Sequence, residues 1–208
     1  MDTKDINSCF MLAINLDCPI SLKVMFDEGD LKDTGVELDS HITLLYAQGK
    51  TIERGNLLSD VRGILGEDGY WDLMEKIRTP KEIPVFDVFD LGSFENDSDY
   101  LVLKLKPGSS LYEPLAKINK GLRLKYDVSS EFDSYTPHLS LAELQPGTAE
   151  KYLNSNDLNH FLQDSVVSLE DFMVSYGLSN EPEDRKQYFL TGFHSVDRYF
   201  RLKHLKSE

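Results

Sequence analysis

Short apolar runs separated by polar, turn-forming clusters set the rhythm of this chain. Phe10 to Leu16 is almost continuously apolar and stops at Asp17-Cys18-Pro19, which predicts a short buried strand. Ile20 to Phe26 fits either a helix or a strand, and Asp27-Glu28-Gly29-Asp30 is a turn. Beyond a second polar stretch, His41-Ile42-Thr43-Leu44-Leu45-Tyr46 is β-prone and predicts a strand. Thr51 to Ile77 predicts helix, interrupted between Gly66 and Gly69, because Gly63, Gly66 and Gly69 weaken any single helix there. Pro84 to Leu91 and the strictly alternating Tyr100 to Leu105 read as two neighbouring antiparallel strands around the polar turn Glu95-Asn96-Asp97-Ser98-Asp99. That acidic turn lacks the sixth-position glycine and closing glutamate of a calcium loop, so it reads as a solvated hairpin tip.

Leu111, Leu115, Ile118 and Leu122 recur at helical spacing and predict a helix from Leu111 to Leu124, with Pro114 in its first turn. Tyr135-Thr136-Pro137-His138-Leu139-Ser140-Leu141-Ala142 reads as a strand opened by proline. A helix from Thr148 to Leu162, a strand from Val166 to Tyr176, a polar loop through Glu181-Pro182-Glu183-Asp184 and a strand from Tyr188 to Phe193 complete the pattern. The fold class is α+β, with about seven strands and three or four helices.

Composition and charge narrow this further. With 208 residues, 40% hydrophobic and 28% charged, the chain has the size and balance of one globular domain, taken as residues 1–208. The 36 acidic against 22 basic residues give a net charge of -14, whose field repels long polyanions. A protein that tracks along DNA or RNA carries the opposite bias, so a nucleotide partner is expected to be small or gripped by a local basic cluster. Cys9 and Cys18 have neither C-x-x-C spacing nor the density of a disulfide scaffold and read as reduced thiols. Met1 to Ser8 is polar, and Cys9 to Leu16 is too short for a signal peptide or a membrane span, so a cytoplasmic location and no membrane partner are expected.

The chemistry concentrates in a repeated tetrapeptide of histidine, apolar, hydroxyl, apolar: His41-Ile42-Thr43-Leu44 and, 97 residues later, His138-Leu139-Ser140-Leu141. On a strand, His41 and Thr43 face one way while Ile42 and Leu44 face the other, and the second copy repeats this. Each copy thus offers one imidazole and one hydroxyl while anchoring itself in the core. Cleaving a phosphodiester in line needs a base for the attacking oxygen and an acid for the leaving oxygen, roles that one neutral and one charged imidazole fill near neutral pH. The hydroxyls of Thr43 and Ser140 supply donors for the non-bridging oxygens, and no metal or cofactor is called for. With five histidines and 27 serines and threonines in the chain, two such tetrapeptides arise by chance in roughly one of 200 comparable sequences.

These tetrapeptides, above all the run Tyr135 to Ala142, resemble the signature of the 2H phosphoesterase superfamily. That superfamily includes RNA-ligase-like cyclic phosphodiesterases of bacteria, 2'-5' oligoadenylate phosphodiesterases of viruses and anti-CBASS nucleases of phage. The order of elements from Phe10 to the run Val174-Ser175-Tyr176-Gly177-Leu178-Ser179 also fits, so the resemblance spans most of the chain, although only the tetrapeptides are specific. It implies a bilobal fold of two pseudo-symmetric antiparallel β lobes, flanked by helices, around a central cleft. It also implies that His41 and His138 are the acid–base pair and that Thr43 and Ser140 clamp the phosphate. Ser140 stands where threonine is more frequent in the family, with the hydroxyl kept.

Substrate choice is less legible. Tyr70 and Trp71 beside Gly69 are candidates for a flap over a nucleobase, and Tyr135, Tyr176 and Phe10 are comparable stacking candidates. The acidic charge and the lack of an appended RNA-binding module favour a phage or viral enzyme that degrades cyclic nucleotide immune signals. A 2',3'-cyclic or 2'-5' RNA phosphodiesterase would use the same residues. A catalytically inactive, nucleotide-sequestering module is a third reading, against which all four motif residues are intact; a scaffold would bind no nucleotide.

Overall fold

A computed structural model describes residues 9–17, 25–36, 40–48, 52–95, 97–129, 134–177 and 186–191. The side chains of 9–17, 33–34, 48, 54, 176–177 and 186–188 lie outside the described part. Within it the order of elements is β1 (Cys9–Asp17), β2 (Leu31–Val36), β3 (His41–Gln48), α1 (Leu57–Leu65), α2 (Glu67–Arg78), β4 (Ile83–Pro84), α3 (Val85–Val88), β5 (Phe89–Glu95), β6 (Asp99–Leu105), α4 (Tyr112–Tyr126), β7 (His138–Leu144), α5 (Ala149–Leu153), α6 (Asn156–Gln163), β8 (Val166–Gly177) and β9 (Lys186–Phe189). The strands form one antiparallel sheet in the order β4-β8-β1-β3-β7-β6-β5, with β2 added to β7 and β9 to β8. This is the α+β class expected from the sequence. Among the described residues no helix is long and apolar enough to cross a membrane.

The local reasons for these elements are mostly visible in the chain. The helical stretch breaks at Gly66, whose φ of 79° is readily adopted only by glycine; its N–H closes α1 on the Arg62 carbonyl and its carbonyl receives Tyr70 N–H of α2. Apolar side chains at helical spacing, Leu57 and Val61 on α1 and Leu115, Ile118 and Leu122 on α4, turn into one connected core with Ile42, Leu44, Leu139 and Leu141 of the sheet. Helix α4 packs on β3, α2 on β8, and α5 on β5 and β6. The buried Asn119 amide of α4 donates to the Leu44 carbonyl at 2.8 Å, a bond that fixes the height of the helix over the first motif strand.

Four expectations are corrected. Pro84 to Leu91 is not one strand: β4 ends at Pro84, Val85 to Val88 makes a helical turn that buries Val85 and sends its N–H to the Ser165 carbonyl, and β5 begins at Phe89. Tertiary packing there overrides the β-prone composition. The helix expected from Thr148 to Leu162 is two helices, because Ser155 adopts an extended conformation and its hydroxyl accepts the Leu158 N–H, capping α6. The hairpin tip is not simply solvated, since Ser98 and Asp99 are buried and the Asp99 carboxylate accepts the Ala149 N–H at the start of α5. The strand and helix counts rise to nine and six among the described residues, the added strands being β2, read above as a polar stretch, and the two-residue β4. The ambiguous segment Ile20 to Phe26 falls largely outside the described residues, as does the loop Glu181 to Asp184.

Candidate active site

Both motif tetrapeptides open strands, β3 at His41 and β7 at His138, and the two strands are neighbours in the middle of the sheet. They are joined antiparallel at the pair Ile42 with Leu139. Carried one residue to either side, that register sets His41 across from Ser140 and Thr43 across from His138. Alternation then fixes the faces. Ile42, Leu44, Leu139 and Leu141 are at most 1% exposed in the core, so His41, Thr43, His138 and Ser140, all half-buried, point out of the opposite face.

The four side chains therefore occupy the corners of a quadrilateral, with the imidazoles on one diagonal and the hydroxyls on the other. A diagonal of this kind in an antiparallel pair measures about 7–8 Å. A tetrahedral phosphate on that centre would have one imidazole on each of two opposite sides, as in-line displacement requires, and a hydroxyl on each of the other two. His41 lies close enough to His138 for its charge to bear on the His138 pKa, in keeping with that register.

The two histidines are not equivalent. His138 Nδ1 lies 2.8 Å from the Thr136 carbonyl, which can only accept, so Nδ1 carries a proton and, in a neutral ring, Nε2 is the acceptor nitrogen. Burial lowers the His138 pKa below its ordinary value, the carbonyl bond opposes this, and the charges of His41 and Lys104 lower it further. At neutral pH His138 is thus held neutral with Nε2 unprotonated, the form of a general base.

The aromatic candidates separate. Tyr135 precedes β7, and its hydroxyl donates to the Thr43 carbonyl at 2.7 Å, tying the approach to the second motif strand onto the first. Burial, with a smaller contribution from Tyr112, raises its pKa, so it remains a neutral donor. It is placed as a brace between the motifs. Replacing Tyr135 with phenylalanine should remove this hydrogen bond and cost about 1 kcal/mol of stability, with a modest rate loss; chemical denaturation and a single-turnover assay check both. Trp71 stands 55% exposed on α2, its indole N–H on Glu67 at 3.2 Å and the Arg62 guanidinium over its ring, and among the described residues none of these partners belongs to β3 or β7. Its neighbour Tyr70 is buried in the core, so the two do not form a joint flap. Phe10 and Tyr176 pair with each other across β1 and β8, but their side chains lie outside the described residues.

Two residues on the motif face were not singled out by sequence. Lys104 of β6 is paired with His138 in register, and the ring of Phe94 on β5 meets the His138 imidazole edge-on with centroids 4.8 Å apart. The strict alternation of Tyr100 to Leu105 makes Lys104 outward-facing, but nothing in that pattern names β7 as the next strand. Among the described residues no group of three or more His, Cys, Asp or Glu side chains is arranged to hold a metal ion.

No family model matches the chain, and no curated protein matches it. Among solved structures it is similar to Usb1 of Kluyveromyces marxianus, determined with uridine monophosphate, at 11% identity, over 90% of this chain and 100% of that one, with a TM-score of 0.38. The functional reading rests on this chain's own residues.

Proposed function

We propose that the chain is a phosphodiesterase of the two-histidine kind, acting on a short nucleotide phosphodiester without a metal. The observation that carries this is the antiparallel pairing of β3 with β7 at Ile42 and Leu139, which, continued one residue each way, sets the imidazoles and hydroxyls on crossed diagonals of one face. In this reading His138 Nε2 takes the proton of the attacking oxygen as its bond to phosphorus forms. His41, protonated, gives a proton to the leaving oxygen as its bond breaks, and Thr43 and Ser140 donate hydrogen bonds to the non-bridging oxygens throughout. The products are a phosphate ester and an alcohol, and the two histidines have exchanged protonation states.

The two pseudo-symmetric lobes implied by the family resemblance correspond, in this proposal, to β3 with β1 and β8 on one side, and β7 with β6 and β5 on the other. Each lobe delivers one tetrapeptide to their junction, which is where a cleft between lobes would need them. A cyclic nucleotide immune signal and an RNA end both fit the same four residues. The deciding assay incubates the protein, with EDTA present, with cyclic di- and trinucleotides, 2'-5' oligoadenylate and oligonucleotides ending in a 2',3'-cyclic phosphate, and reads the products by mass spectrometry. Cleavage that persists in EDTA and names one linkage is expected. Cleavage that appears only when a divalent ion is added back sinks the mechanism.

A further inference from the structure

An anionic substrate approaching a protein of net charge -14 is repelled on average, and it needs a local cation to receive it. Strand β6 supplies one on the motif face. Lys104 lies directly across from His138, and its stem runs over Gly92 of β5, where an added Cβ would stand 3.1 Å from both Cδ and Cε of the lysine. Its Nζ donates to the Ser93 carbonyl at 2.7 Å and sits 4.4 Å from the centre of the Phe94 ring, the same ring that meets His138. The ammonium is therefore held at the edge of the quadrilateral, one aromatic ring away from the imidazole.

Among the described residues its charge also meets no carboxylate. Asp90 faces Lys104 in register, yet its carboxylate pairs with Lys106 at 3.4 Å. An ammonium has three donors, and the Ser93 carbonyl takes one. A half-buried cation that, among the described residues, gives one donor to a carbonyl and leans on an aromatic ring, next to a site proposed for one phosphate, is placed to take another anion.

We propose that Lys104 binds the phosphate adjacent to the scissile one, so that the preferred substrates carry two neighbouring phosphate groups. Dinucleotides with a terminal phosphate, cyclic oligonucleotides and RNA ends meet that requirement; a lone 2',3'-cyclic mononucleotide does not. This rests on the two-histidine reading and narrows its substrate class.

Calorimetric binding tests it without needing turnover. The probes are the 3',5'-bisphosphate, the 3'-monophosphate and the 5'-monophosphate of uridine and of adenosine, titrated into the wild type, Lys104→Met and Gly92→Ala. The wild type is expected to bind a bisphosphate about tenfold more tightly than the better of its monophosphates. Lys104→Met, checked for folding by circular dichroism, should erase that preference while leaving the monophosphates nearly unchanged. Gly92→Ala keeps the charge but displaces the stem, and it should reduce the preference part-way; it decides the matter if the methionine variant does not fold. The assignment is overturned if the wild type has no bisphosphate preference, if the preference survives in the variants, or if Lys104→Met weakens all ligands equally, which would make Lys104 a ligand of the scissile phosphate. A failure of the two-histidine reading looks different: cleavage indifferent to His41 and His138, whatever the bisphosphate preference.

Discussion

Replacing His138 with alanine should lower the single-turnover rate on the cleaved nucleotide by roughly 10²–10⁴-fold, the range for loss of a positioned general acid or base. His41→Ala should fall in the same range, and the double variant should be little slower than the poorer single one, because in the proposed mechanism both protons move in one displacement. The asymmetry between the rings sharpens the expectation. With the His138 pKa lowered by burial and by the charges of His41 and Lys104, the acid limb of a bell-shaped pH profile should lie below the ordinary histidine value of 6.5, with both apparent values belonging to the coupled pair. Folding is linked to the same proton. A histidine whose folded pKa is depressed contributes stability that is complete above the unfolded value of 6.5 and is lost as pH falls through the folded value. Thermal midpoints followed downward from pH 7 should therefore drop more steeply in the wild type than in His138→Gln. If either alanine variant keeps more than about a tenth of the wild-type rate, that histidine transfers no proton in the reaction.

Which motif residues share a face was legible in the sequence because the motifs are strand segments, where a period of two settles it. His41 with Thr43 and His138 with Ser140 followed from alternation alone, and the buried partners Ile42, Leu44, Leu139 and Leu141 bear the alternation out. The crossed-diagonal arrangement was not legible. It depends on which strands pair and in what register, and two strands 97 residues apart are brought together by tertiary packing that no local pattern encodes. Lys104 was hidden for the same reason, its neighbour being set by the β6–β7 pairing. The break at Gly66 was legible because glycine alone relieves that backbone, whereas the helical turn from Val85 to Val88 was not, because its residues locally favour a strand. The cap at Ser155 was present in the sequence as a serine ahead of an apolar-periodic run and could have divided the helix expected there.

Thr43→Ala and Ser140→Ala should each slow the reaction by roughly 10- to 10³-fold, with the upper end matching loss of a single oxyanion donor. The two hydroxyls lie on one diagonal, across from His138 and His41 respectively, so each would meet a different non-bridging oxygen. Removing one leaves the other in place, and the losses should combine more nearly multiplicatively than those of the histidines, which act as a unit. The loss should fall on the rate of the chemical step more than on ground-state binding, because charge on those oxygens must be held most strongly in the transition state. The conservative exchanges separate chemistry from packing. Thr43→Ser and Ser140→Thr keep a donor at the same corner and should retain most of the activity, while Thr43→Val keeps the shape of threonine without its hydroxyl and should behave like Thr43→Ala. Single-turnover rates at saturating substrate, on variants shown to be folded by circular dichroism, decide between these outcomes. Full activity in Thr43→Val would make that hydroxyl a structural group of the strand, and the phosphate would then have to be held by donors other than the motif hydroxyls.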